Sequence, residues 1–146
     1  MARLATLLTM LLCVLASCVT LPTRSPVYAA RILPSGVSVR ELAIPNKGTE
    51  ARSGDRIALH YELFLGDGTL VDSSRNRGVP IEFVLGSGTL GAGFEEGLVG
   101  LKVHGRREIV VPPEEAFGEE GVPPRIPPRA ILRMVAELVS IEPRER

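Results

Sequence analysis

The chain has 146 residues, 45% of them apolar, with 17 basic against 17 acidic residues and a formal net charge of zero. That length holds one domain and a short appendage, and two full domains will not fit. Fifteen glycines and twelve prolines exclude a helical bundle, the apolar content excludes a disordered chain, and the balanced charge gives nucleic acid no electrostatic footprint.

Residues 1–18 carry Arg3 ahead of the uncharged stretch Leu4 to Ala16, then small residues before Cys18. This pattern predicts an export signal. The uncharged stretch is shorter than the roughly 20 apolar residues a membrane-spanning helix needs, which favours cleavage over retention as an anchor. Leu15-Ala16-Ser17-Cys18 resembles the lipobox of bacterial lipoproteins, which implies a lipidated Cys18 as the new N-terminus. A cut after Val27-Tyr28-Ala29 is the alternative, and it releases a soluble exported protein without cysteine. Both put the domain outside the cytoplasm, and the expected location is a bacterial cell envelope, with a membrane as partner through the Cys18 lipid. Cys13 falls inside the apolar stretch as a small hydrophobe, so no disulfide is expected. Residues 19–36 carry prolines and polar residues without sustained periodicity and are expected to form a flexible linker.

From Val37 onward apolar and polar residues alternate in short runs separated by turn residues, which predicts antiparallel strands. Ile57, Leu59, Tyr61 and Leu63 share one face of the first long run, and Gly66-Asp67-Gly68 supplies a hairpin turn after it. Ile81, Phe83 and Leu85 share a face in a further run, and Leu132, Met134, Ala136 and Leu138 do so in the last. Only Gly93 to Leu101 has helical spacing, with Phe94, Leu98 and Leu101 on one side. So short a helix must pack on the sheet to persist. Pro112-Pro113 ends the run Ile109 to Val111, and four prolines are expected to hold Glu119 to Pro128 extended.

Laid end to end, these segments resemble the FKBP-type peptidyl-prolyl cis-trans isomerases over residues 37–142, with 143–146 as a tail. The resemblance runs through Gly54-Asp55, Tyr61, Gly68-Thr69-Leu70-Val71-Asp72-Ser73-Ser74, Arg77 and Phe83-Val84-Leu85-Gly86. It continues through Gly93-Phe94-Glu95-Glu96-Gly97-Leu98, Pro112-Pro113, Ala116-Phe117-Gly118 and Ile126-Pro127-Pro128 without an insertion. It implies an α+β fold, a curved antiparallel sheet or half-barrel wrapped around one short α-helix. It also implies an apolar pocket for a proline ring, a prolyl isomerase activity on segments of exported proteins, and no cofactor. A monomer is expected.

The resemblance places the catalytic positions on Tyr61, Asp72, Phe94 and Phe117, and the substrate-binding positions on Val71, Arg77, Ile81, Phe83, Leu90, Gly91, Ile126 and Met134. Phe94 would form the floor, the Gly91 N–H would hold a substrate carbonyl, and Tyr61 and Arg77 would orient the Asp72 carboxylate at the pocket edge. A buried Asp72 needs such partners. The sequence departs from the family in having Val71, Ile81 and Met134 where phenylalanine is usual, Phe94 for tryptophan and Phe117 for tyrosine. These changes predict a less aromatic, wider pocket and weak binding of the family's macrolide inhibitors. His60 and His104 have no cysteine or histidine beside them, and no metal is assigned. A proline-segment binder with little catalysis, and a structural lipoprotein that keeps only the fold, are the alternative functions.

Overall fold

The computed structural model describes residues 28–142 and residue 144. The export signal, Cys18 with its lipid, and the first part of the linker fall outside the described residues.

The strands are β1 (Arg31–Ile32), β2 (Ser38–Ala43), β3 (Arg56–Leu65), β4 (Leu70–Ser73), β5 (Ile81–Val84), β6 (Arg106–Val111) and β7 (Leu132–Glu142). All pair antiparallel in one open sheet ordered β1-β2-β6-β7-β3-β4, with β5 also on β3. The predicted alternation is observed: Ile57, Leu59 and Tyr61 of β3 and Leu132, Met134, Ala136 and Leu138 of β7 are buried on one face. The opposite face carries cross-strand charge, with Glu108 between Arg40 at 2.6 Å and Arg133 at 3.3 Å, and Arg133 over the Phe64 ring. The hairpin between β3 and β4 turns where expected, closed by Asp67, whose carboxylate accepts the Thr69 N–H at 2.8 Å.

Helix α2 (Ala92–Leu98) lies on the buried face and packs against β6. It brings Phe94 and Leu98 into the core, each burial contributing about 1.5–3 kcal/mol. The approach is close because Gly93 and Gly97 face the sheet: a Cβ on Gly97 would meet Ile109 Cγ2 at 2.5 Å, and one on Gly93 would meet Val111 Cγ1 at 2.7 Å. Arg107, on the same face of β6, donates to the carbonyls of Gly97 at 2.7 Å and Val99 at 2.8 Å. It thereby satisfies groups that the end of α2 leaves open.

Three expectations are corrected. The predicted linker is not wholly coil, since β1 pairs with Val39 and Ser38 and Leu33 N–H reaches Val37 O at 2.8 Å; a two-residue strand is too short to show periodicity. The helix ends at Leu98, before Gly100 adopts φ +80°, and Leu101 is buried through its backbone pairing with Ala51 instead. Beside α2, α1 (Ser74–Arg77) makes a single turn and Pro113–Glu115 a turn of 3-10 helix. Finally, Glu119 to Pro128 is not extended throughout. Val122 and Ile126 bond to each other in an antiparallel bridge, because both keep the N–H groups their proline neighbours lack.

Candidate active site

Strand β3 changes partners along one edge. Arg56 to Leu59 pair with β5, whereas Glu62 to Phe64 pair with β4. Between them the backbone of Tyr61, paired with Ala136 of β7 on its other side, has no strand on this edge. The fully buried Ser74 fills the gap, its Oγ accepting the Tyr61 N–H at 2.8 Å and donating to the Tyr61 carbonyl at 3.2 Å. An unpaired buried peptide group is costly, so this serine fixes the site's backbone as a ladder bond would. It is held there by α1, whose N-cap Ser73 accepts the Asn76 N–H at 3.2 Å and whose last carbonyls are closed by Gly78 in the left-handed region.

The same short helix sends Arg77 back over β3. The Tyr61 hydroxyl donates to Asp72 Oδ2, Arg77 Nη1 donates to Asp72 Oδ1, and Arg77 Nη2 donates to the Tyr61 oxygen at 3.0 Å. The guanidinium also lies 5.6 Å from the Tyr61 ring centroid. A fourth bond, from the Ser73 N–H to Asp72 Oδ1 at 2.8 Å, completes the carboxylate's set. Burial, then the hydrogen bond to Asp72, pushes the Tyr61 phenol above its ordinary value. Partial burial works against the Asp72 carboxylate, but bonds from Tyr61, Ser73 and Arg77 outweigh it and hold the carboxyl below its ordinary value. The Asp72 side chain is 36% exposed and stands at the rim, where the resemblance puts this polar group.

The apolar positions sort by depth. Tyr61, Phe83, Phe94, Ile126 and Met134 belong to one buried cluster, and the half-buried Val71, Ile81 and Leu90 pack against it. Phe117 differs, since the residue is 41% exposed on the segment after the 3-10 turn, at the surface. The Gly91 N–H, the expected donor to a substrate carbonyl, donates to the Gly88 carbonyl at 3.2 Å, so receiving a substrate there exchanges one bond for another.

Sequence reasoning missed two groups that build this site. One is Ser74, whose α1 was signalled by a serine N-cap followed by Gly78. The other is Glu95, 4% exposed, whose carboxylate accepts the N–H groups of Gly86 at 2.7 Å, Gly88 at 3.1 Å and Leu90 at 2.9 Å. It ties the loop that carries Leu90 and Gly91 to α2. Among the described residues no three His, Cys, Asp or Glu side chains come together in a metal-binding group.

The FKBP-type peptidyl-prolyl cis-trans isomerase family model matches residues 47–139. "FK506-binding protein 2" of the yeast Yarrowia lipolytica is 43% identical over 93 residues, covering 64% of this chain and 65% of that protein. Peptidyl-prolyl cis-trans isomerase FKBP2 of Bos taurus is 38% identical over 138 residues, 94% of this chain and 96% of that one. Among solved structures, FkpA from Escherichia coli superposes with a TM-score of 0.71 at 32% identity, over 80% of this chain and 53% of that chain. The chain thus spans under two thirds of the yeast relative and about half of FkpA. Both sequence relatives are eukaryotic, so the narrower expectation of a bacterial lipoprotein form gains no support from them. The open antiparallel sheet, the α2 packing and these similarities agree, and the chain belongs to the FKBP-type peptidyl-prolyl cis-trans isomerase family, a family of isomerases.

Proposed function

We propose that the domain accelerates cis–trans rotation about Xaa-Pro bonds, with a proline ring seated against the apolar cluster beneath the Tyr61–Asp72–Arg77 group. The observation that carries this reading is the junction of a buried apolar cluster, to which Tyr61 belongs, with a hydrogen-bonded polar rim of Tyr61 from β3, Asp72 from β4 and Arg77 from α1.

The reaction asks little of the protein chemically. Amide resonance holds the bond planar behind a barrier of about 18–20 kcal/mol, and twisting breaks that resonance and lowers the carbonyl dipole. A dry apolar surface binds the twisted form better than the planar one, and each ~1.36 kcal/mol of that difference is worth tenfold in rate. In this reading Phe94, Phe83, Ile126 and Met134 supply the surface, while Val71, Ile81 and Leu90 line its approach and Phe117 its edge. Asp72, fixed by Tyr61 and Arg77, keeps a charge oriented beside the rotating carbonyl. The Gly91 N–H anchors a neighbouring substrate carbonyl.

Export of the chain is part of the proposal, with residues 1–18 as signal, 19–36 as a connection whose β1 adds to the sheet, and 37–142 as the domain acting on exported proteins. It rests on the charge and apolar pattern before Cys18. The mass of the mature N-terminus after expression in a secreting host decides between lipidated Cys18, which gives the membrane anchor, and a cut after Ala29.

The experiment that tests the activity is exchange spectroscopy on a Leu-Pro peptide with the full chain. Exchange accelerated well above background supports the isomerase. A folded protein that binds the peptide without accelerating exchange supports the second reading, a holding module for proline segments.

A further inference from the structure

A cavity of about 700 Å³ opens beside the site, walled by Val71, Asp72 and Arg77 on one side and by Pro124 and Arg125 on the other. Its charges do not balance. Asp72, its one carboxylate, is taken up by Tyr61, Arg77 and the Ser73 N–H. Arg125 forms no ion pair among the described residues, and its neighbour in the loop, Glu119, faces Arg129 at 3.6 Å. The cavity is thus lined by two arginines and one carboxylate, and Arg77 and Asp72 already engage each other.

The position of Arg125 is fixed although its side chain is long. Its N–H donates to the Val122 carbonyl at 3.1 Å, and the next residue, Ile126, is 5% exposed and bonded back to Val122 at 2.8 and 3.0 Å. Pro123, Pro124 and Pro127 fix φ on both sides. Engaging a ligand here therefore immobilises one side chain without ordering a loop, which keeps the entropic cost low. An exposed arginine on an open surface gains little from a counter-ion. Arg125 is itself exposed, but it lines a cavity with a second cation, beside the floor that takes the proline, and is placed to read charge to a modest degree, since a planar guanidinium forks onto a carboxylate.

We infer that this cavity receives an acidic side chain adjacent to the substrate's proline, with Arg125 as its counter-ion, so that the domain prefers prolyl bonds flanked by aspartate or glutamate. The inference rests on the isomerase reading, and its test separates the two. With the full chain, kcat/KM and binding affinity are measured for a Leu-Pro peptide and for peptides with Glu before or after proline, each beside its Gln counterpart. The Glu-to-Gln ratio is expected to reach about two- to fivefold at low salt in one of the two placements and to approach unity in 0.5 M NaCl. In Arg125→Glu it falls below unity. A ratio of unity in both placements, or one that survives in Arg125→Glu, overturns the inference while turnover of the Leu-Pro peptide leaves the isomerase standing. Absence of turnover on every peptide counts against the isomerase, and the affinity ratio then decides the acidic preference by the same criteria.

Discussion

The Tyr61 hydroxyl and the Asp72 carboxylate meet across the hairpin although their residues are eleven positions apart. Their meeting depends on a third residue that neither touches substrate in the proposed mechanism nor carries charge: Ser74, whose hydroxyl closes the backbone gap at Tyr61. Replacing Ser74 by Ala leaves the buried Tyr61 N–H and C=O without that partner and is expected to cost about 1–3 kcal/mol of stability, read from a urea unfolding midpoint. An unchanged midpoint contradicts the structural role assigned to it.

Tyr61→Phe removes the bond to Asp72 and the one from Arg77 while keeping the ring in place. At a half-exposed carboxylate the loss is expected to be about 1–2 kcal/mol of stability. Catalysis is expected to fall by up to about tenfold, since Asp72 keeps only its Oδ1 bonds, from Arg77 and the Ser73 N–H, and Oδ2 is no longer held. Unfolding and peptide exchange measured on the same sample separate the two effects.

Glu95→Ala leaves the N–H groups of Gly86, Gly88 and Leu90 without their shared acceptor. A loss of about 1–3 kcal/mol is expected, with faster hydrogen exchange confined to those three amides and Gly91. Glu95→Gln keeps one carbonyl oxygen and is expected to lose less.

Gly97→Ala tests the close packing of α2. Alanine in an exposed helix gains about 1 kcal/mol over glycine, but the added Cβ would meet Ile109 Cγ2 at 2.5 Å. Overpacking of this kind typically costs about 1–3 kcal/mol, so a net fall in thermal stability is expected, and a rise in the melting temperature contradicts the packing argument.

The two titrating partners set opposite pH limits. Asp72 has its folded value held down, so its contribution to stability is present above the ordinary carboxylate value near 4 and is lost as pH falls through the folded value. Tyr61 has its folded value pushed up, so its contribution is complete below about 10 and is lost as pH rises through the folded value. Between roughly pH 5 and 9 this pair contributes no pH dependence to stability. Comparing denaturation profiles of the wild type and Tyr61→Phe, Asp72→Asn isolates that contribution.

How much of this was legible in the sequence follows from the physical signal each element leaves. Strands β3 and β7 were visible because one buried face imposes a period of two, and the Gly66–Gly68 turn because its residues tolerate the required backbone. The Tyr61, Asp72 and Arg77 positions came from resemblance, and the structure brings their side chains into one group. The depth of Phe117 was not legible, since it depends on how a loop sits over the sheet. The work of Glu95 was hidden for a different reason: its partners are backbone N–H groups, which every residue but proline carries. The Val122–Ile126 bridge was hidden likewise, because proline runs report local dihedral limits and not the pairing of their neighbours.

The most direct test of the central claim is kcat/KM for exchange of a Leu-Pro peptide by the wild type, Asp72→Leu and Phe94→Leu, with circular dichroism confirming the folded state of each. The account predicts clear acceleration by the wild type and about a tenfold loss in each variant, one from the rim and one from the floor. Equal rates in all three folded proteins, or no acceleration by the wild type, would contradict it.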